Sequence, residues 1–206
     1  MKLLVTGGAG VVGSTVVRML LDGGHEVDVV DVLSREGGGR TPARILTPGA
    51  DFEAVFHIAG LVAGGESMAH PEWQWDNSTR AALALLDAMA EAEVSKLVFS
   101  STSTVHGDRT LAIDGAIAAY CRVGGLGAIS LRYFDFDRHC PADDTGLRDY
   151  LGITDLARAH LLALDTLQPG THEIYNLGNV KCTPQTDGIA SGAWELPPLA
   201  AQQPIG

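Results

Sequence analysis

The chain has 206 residues, 46% of them hydrophobic and 19% charged, and a net charge of −11. That length suits one domain able to bury roughly 70% of its unfolded surface, and the balance is that of a globular protein, not a disordered one. The acidic excess, with 14 scattered Lys and Arg residues, excludes a nucleic-acid backbone binder, which needs a basic stripe to displace counterions.

Cys121, Cys140 and Cys182 show no paired or metal-ligand spacing, so they read as reduced thiols of a cytoplasmic protein. No apolar stretch reaches bilayer-spanning length, and Met1-Lys2-Leu3 leads straight into a strand. Neither a membrane segment nor a signal peptide is expected.

The apolar run Leu3, Leu4, Val5 stops at Gly7-Gly8-Ala9-Gly10-Val11-Val12-Gly13, and an amphipathic helix from Val11 to Asp22 follows, ending at Gly23-Gly24. Strand, tight loop and helix in this order predict a dinucleotide-binding unit. Gly7 permits the turn, Gly10 leaves room for a pyrophosphate, and Gly13 lets the helix lie close on the strand. The helix N-terminus offers N–H groups and a positive dipole end to phosphates. A second strand, Glu26 to Val30, ends at Asp31, about 20 residues on, where a carboxylate can bind ribose hydroxyls. The bland alternative is a glycine turn without a ligand, in a chain with 25 glycines.

Further along, Glu53 to Ile58 reads as a buried strand closing at Ala59-Gly60, and Asn77 to Glu93 as a long helix. Lys96 to Ser100 is a strand that leaves into Ser101-Thr102-Ser103-Thr104, and Ala128 to Phe134 is another. Thr154 to Leu167 is a helix with Thr154 placed to cap it and Asp155 in its first turn; His172 to Asn176 is a short strand. Strands alternating with helices predict an α/β fold, a doubly wound parallel sheet covered on both faces.

At this point the residues carry a family resemblance. Thr6-Gly7-Gly8-Ala9-Gly10-Val11-Val12-Gly13 resembles the fingerprint of extended short-chain dehydrogenases/reductases. The match continues through Asp51 to Leu61, Gly65-Glu66-Ser67, Trp75-Asp76-Asn77, Leu97 to Thr102, Ile129 to Phe134, Leu147 to Tyr150, Thr154 to Ala157 and Tyr175 to Asn179. Together these blocks, in this order, resemble the UDP-glucose 4-epimerases, a family with bound NAD. The resemblance implies a Rossmann-like domain over 1–179, holding over about 135–179 what is left of a sugar-nucleotide subdomain. Lys181 to Gly206, with Pro184, Pro197 and Pro198 and no sustained periodicity, is expected to be a poorly ordered tail over 180–206.

The same resemblance assigns residues. Gly7, Gly10, Val11, Val12, Gly13, Asp31, Ala59, Gly60, Leu61, Asn77 and Phe134 stand at NAD-contacting positions. Thr102 stands at the catalytic Ser/Thr, which also binds the reacting sugar oxygen, and Asp135 and Arg148 stand at substrate-binding positions. Each has a structural alternative. Thr102 sits in a hydroxyl-rich strand exit, Asn77 can cap the helix it opens, Phe134 can be core, and Arg148 can form a surface ion pair with Asp149. Asp135 replaces a family asparagine, adding a negative charge where a diphosphate would lie, and Val62 replaces a lysine near the pyrophosphate. His139-Cys140 beside Asp143-Asp144 fits no standard metal spacing.

The gaps in the resemblance bear on activity. The family carries a Tyr-x-x-x-Lys pair on the helix after the hydroxyl run: the tyrosine moves the proton of the sugar 4-hydroxyl and the lysine lowers the tyrosine's pKa. Here Tyr120 is the one tyrosine in that interval, and Gly124 stands four residues later. Its context, Ala119-Tyr120-Cys121-Arg122, fits the later part of the helix, so the pair reads as deleted; the alternative keeps Tyr120 as a catalytic tyrosine without its partner. His106 is the nearest titratable group beyond Thr102. Segments between Asp31 and Phe52 and between Asp137 and Thr145 are also short. Two readings stay open: an epimerase interconverting UDP-glucose and UDP-galactose, impaired by the missing pair, or a non-catalytic nucleotide-binding relative. The expected partners are NAD and a UDP-sugar, with no nucleic acid, membrane or metal, and a homodimer is one candidate assembly.

Overall fold

The computed structural model describes residues 1–31, 46–60, 79–102, 108–133, 147–148, 151–178 and 183–184. The first strand, β1 (Lys2–Thr6), is followed by α1 (Val11–Asp22) and β2 (Glu26–Val30). Then come β3 (Ala54–His57), α2 (Ala81–Glu91), β4 (Lys96–Thr102), α3 (Asp108–Gly124) and β5 (Gly127–Tyr133). The last elements are β6 (Leu147–Arg148), α4 (Ile153–Thr166), β7 (His172–Leu177) and β8 (Thr183–Pro184).

Six strands form one parallel sheet in the order β2-β1-β3-β4-β5-β7. The chain leaves β1 toward β2 on one side and returns to β3 on the other, so the order reverses between β1 and β3. That is the switch point at which doubly wound sheets open a crevice at their strand C-termini. Because both faces are covered, the central strands are apolar throughout: Leu3, Leu4 and Val5 are fully buried, as are Ala54, Val55 and Phe56.

Strand alternation sends these side chains to two cores. Leu4, Val55, Leu97 and Ala128 pack with Leu85, Leu86 and Met89 of α2 and Ile113, Ile117 and Cys121 of α3. Leu3, Val5, Phe56, Val98, Ile129 and Leu131 pack with Val12, Val16 and Leu20 of α1 and Leu156, Ala163 and Leu164 of α4. Each large side chain so buried contributes about 1.5–3 kcal/mol before its entropy cost is set against it.

Several boundaries differ from expectation. Thr154 does not cap α4: Gly152 occupies the cap position with extended backbone and Thr154 lies inside the first turn. The sequence around it reads Gly-Ile-Thr-Asp, and Asp155, buried beside Arg158 at 3.1 Å, supplies the first-turn acid instead. β3 closes at His57, earlier than the apolar run suggested. Within the tail expected to be poorly ordered, Thr183–Pro184 pairs antiparallel with Leu147–Arg148, and the rest of 180–206 lies outside the described residues. No helix among the described residues is long and apolar enough to cross a membrane.

Candidate functional site: the strand C-terminal rim

The glycine loop joins β1 to α1 at the rim of the switch point. Gly7 has φ +74°, and a Cβ there would meet the Ala59 backbone at 2.7 Å, so the loop sits directly against the exit of β3. At Gly13 a Cβ would meet the Gly7 carbonyl oxygen at 2.0 Å, which is why helix and loop can pack this tightly only with glycine. Gly10 differs: a Cβ there would touch only the Gly7 oxygen, at 3.2 Å, and the residue is exposed. Gly10 is the cap residue of α1, with no side-chain cap bond and no acidic residue in the first turn. The N–H groups of Val11, Val12 and Gly13 therefore open the helix without intrahelical acceptors, as a helix start must. Val11 is exposed while Val12 and Gly13 are buried against the sheet.

Asp31 follows β2 and holds the loop from the side. Its Oδ2 accepts the Ala9 N–H at 2.7 Å. A carboxylate has a second oxygen, so the group that fixes the loop can also face a ribose. Gly7 N–H donates to the Val30 carbonyl at 2.8 Å, closing the same corner. Ala59 and Gly60 are exposed on the other side of the switch point.

Beneath the loop lies a buried pair. Thr6 Oγ1 accepts the Ala59 N–H at 3.3 Å and is also hydrogen-bonded to His57 Nδ1 at 2.6 Å. His57 stacks on Phe99, and burial pushes its pKa down to about 4, keeping it neutral. On the opposite face His160 Nδ1–H donates to the Leu156 carbonyl at 2.8 Å and Nε2 accepts the Ser100 hydroxyl at 2.6 Å. His160 is fully buried, its pKa also pushed down to about 4 by burial, and its ring meets Tyr133 edge-on.

Thr102 ends β4 on this rim, opposite Tyr133 in the parallel register. Tyr120 is not brought to it. α3 runs back from the strand C-termini to the start of β5, and Tyr120 lies near its far end, beside Glu93, Val94 and Ser95, which precede β4. Its hydroxyl donates to Asp87 of α2, and that carboxylate raises the phenol pKa, opposite to what proton transfer near neutral pH requires. As a catalytic candidate Tyr120 therefore stands at the wrong end of the sheet and in the wrong electrostatic setting. From Lys96 to Lys181 the sequence contains no other lysine. Leu61, Val62, Asn77, His106, Phe134, Asp135, His139, Cys140, Asp143 and Asp144 lie outside the described residues, and Arg148 is placed only as a backbone position in β6.

One buried polar group escaped the sequence reading. Arg132 Nη2 donates to Asp114 Oδ2 of α3 at 2.6 Å, and Ser130 Oγ donates to Asp114 Oδ1 at 2.8 Å. His172 Nε2 lies 2.8 Å from Ser130 Oγ, completing a link from β7 through β5 to α3. The signal was present in Ile129-Ser130-Leu131-Arg132, where polar residues alternate with apolar ones inside a strand whose two faces are both buried.

Comparison with known proteins agrees with this geometry. Residues 3–120 match a family model described as the NAD dependent epimerase/dehydratase family. A UDP-glucose 4-epimerase of Corynebacterium glutamicum is 34% identical over 249 aligned positions, covering 87% of this chain and 75% of that protein. The Streptomyces lividans UDP-glucose 4-epimerase is 32% identical, covering 86% and 76% respectively. Both alignments are longer than this chain's 206 residues, so the relatives carry stretches that it lacks. Among solved structures, the UDP-glucose-4-epimerase of Stenotrophomonas maltophila, with bound NAD and formylated UDP-arabinopyranose, superposes with TM-score 0.74 at 26% identity, covering 89% of this chain and 80% of that one.

Proposed function

The chain belongs to the NAD dependent epimerase/dehydratase family, and from that premise we propose that it binds NAD along the strand C-terminal rim and a UDP-sugar beside it, with epimerase turnover slow or absent. The observation that carries the NAD reading is the loop itself. Gly7 and Gly13 are demanded by packing, whereas Gly10 is exposed and a Cβ there would crowd a single atom, the Gly7 carbonyl oxygen at 3.2 Å. Folding alone gives no strong reason for glycine at that place, but a pyrophosphate approaching the helix start does.

The residues present fit the cofactor. Val11, Val12 and Gly13 would hold the pyrophosphate through main-chain N–H groups, and Asp31 the adenosine ribose. Asp31 also favours NAD over NADP, because a 2′-phosphate would meet its negative charge. When bound, NAD supplies hydride chemistry at the sugar C4. The chain's own task is to orient the sugar and move the proton of its 4-hydroxyl, and Thr102, at the position of the family's catalytic Ser/Thr, would bind that oxygen. A proton-transfer group is worth about 10²–10⁴-fold in rate. With the Tyr-x-x-x-Lys pair missing and Tyr120 at the far end of the sheet, that factor is lost.

Calorimetry with NAD and NADP tests binding, and a coupled assay at high enzyme concentration tests UDP-glucose/UDP-galactose interconversion. NAD binding with turnover orders of magnitude below a full-length relative is the expected result. Robust turnover would overturn the impairment. Loss of such turnover in Tyr120→Phe would restore that tyrosine as the acid/base, and loss in His106→Ala alone would name His106 instead.

A further inference from the structure

Two polar atoms on the rim are buried without a hydrogen-bond partner among the described residues, and they belong to residues paired across adjacent strands. Ser101 and Arg132 are Cα partners across the β4–β5 pair, each 8% exposed. Ser101 Oγ and Arg132 Nε are the atoms left unpaired. Both side chains belong to the α3 face of the sheet: Leu97 and Phe99 precede Ser101 on that face, and Arg132 reaches Asp114 of α3. An unsatisfied buried donor costs about 1–3 kcal/mol, so two adjacent ones call for an acceptor that the described residues do not supply.

The chemistry of that acceptor can be read from the pair. Arg132 Nε–H can only donate, and the Ser101 hydroxyl can donate beside it. The guanidinium charge is already matched by the Asp114 carboxylate at 2.6 Å, so the site has no net pull on a phosphate. Two donors without net charge suit one neutral carbonyl oxygen, whose two lone pairs can take both.

Position then narrows the ligand. Asp31 marks the adenosine side of the switch point, over β2. A dinucleotide crossing the crevice must therefore lay its other half over the exits of β3, β4 and β5, where Ser101 and Arg132 lie. Resting on the NAD reading above, we propose that Ser101 and Arg132 form a carbonyl-binding subsite for the carboxamide of the nicotinamide end. It would anchor that half of the cofactor in a chain without the family lysine.

The test compares NAD with ADP-ribose, which has the same pyrophosphate and riboses but no nicotinamide, by calorimetry on the full chain. Ser101→Ala removes one donor without breaking any hydrogen bond among the described residues, and Arg132→Lys keeps a positive charge for Asp114 while losing Nε–H. Each variant should weaken NAD by about tenfold, while ADP-ribose stays within about twofold of wild type. A merely structural role would move both ligands together, and equal losses, or NAD affinity unchanged in both variants, would overturn the subsite. If wild type binds neither ligand, the NAD reading itself fails, and that result differs from a subsite failure, in which wild type binds both.

Discussion

The β1–α1 loop and the β4–β5 exit share one rim but are built from different material. The loop is main chain: Gly7 N–H on Val30, Gly10 N–H on Gly7 and Ala9 N–H on Asp31 close it within three neighbouring segments. The β4–β5 exit depends on side chains drawn from distant elements, with Asp114 of α3, Ser130 and Arg132 of β5 and His172 of β7 in one buried link. Main-chain sites need only a short motif and a strand to hold it, so they survive when a chain is shortened. Side-chain sites fail when the one helix segment carrying a group is lost. The two parts of one rim therefore respond differently to the loss of a segment.

Acid should strain both regions, and by the largest amount. A neutral histidine lies under each, His57 below the loop and His160 below the β4 exit, both with pKa pushed down to about 4 by burial. The unfolded chain takes up protons below its ordinary histidine pKa of about 6.5 while the folded chain does not. Stability is therefore full above pH ~6.5 and falls as pH drops toward 4, by on the order of 3 kcal/mol per histidine. Urea denaturation across that interval should show the decline, and a flat midpoint would mean that both rings take up protons in the folded state as they do in the unfolded chain.

Next in size is Gly13→Val. With the Gly7 carbonyl oxygen 2.0 Å from the new Cβ, backbone must move, and the cost should reach about 4 kcal/mol, at the severe end for single substitutions. Loss of cooperative unfolding, or a midpoint far below wild type, is the expected readout.

Gly10→Val separates binding from folding. Its Cβ meets only one oxygen, at 3.2 Å, so stability should change by about 1 kcal/mol or less, while NAD binding is abolished. NAD affinity surviving in this variant would make the glycine loop structural only.

The smallest effect belongs to Asp31→Asn. The amide oxygen can still accept the Ala9 N–H that Asp31 holds at 2.7 Å, so the loop should stay in place. Removing the negative charge should narrow the preference for NAD over NADP by about tenfold, equivalent to roughly 1.4 kcal/mol. An unchanged ratio by calorimetry would show that Asp31 does not face the ribose.

Much of this was legible in the sequence because it is local. The glycine spacing, the helix stop at Gly23-Gly24 and the runs Leu3-Leu4-Val5 and Val55-Phe56 each depend on residues a few positions apart, and periodicity reports them directly. The α/β class followed from their alternation. Helix starts were less legible: Thr154 had the right chemistry for a cap, but packing of α4 on the sheet began the helix at Ile153, and burial outweighs a single cap bond of about 1 kcal/mol.

What the sequence by itself determined is the local frame: which strand ends in the glycine loop, which acid closes β2, and that no lysine follows Tyr120 at the family spacing. What only the tertiary structure decided is where the remaining polar groups stand. Tyr120 is carried to the far end of the sheet because α3 runs antiparallel to the strands and ends four residues later. Ser101 and Arg132, 31 positions apart in sequence, become neighbours through the β4–β5 register. Parallel pairing needs a long crossover between partners, so contacts across it leave no short-range trace, and their chemistry becomes visible only when the sheet is assembled.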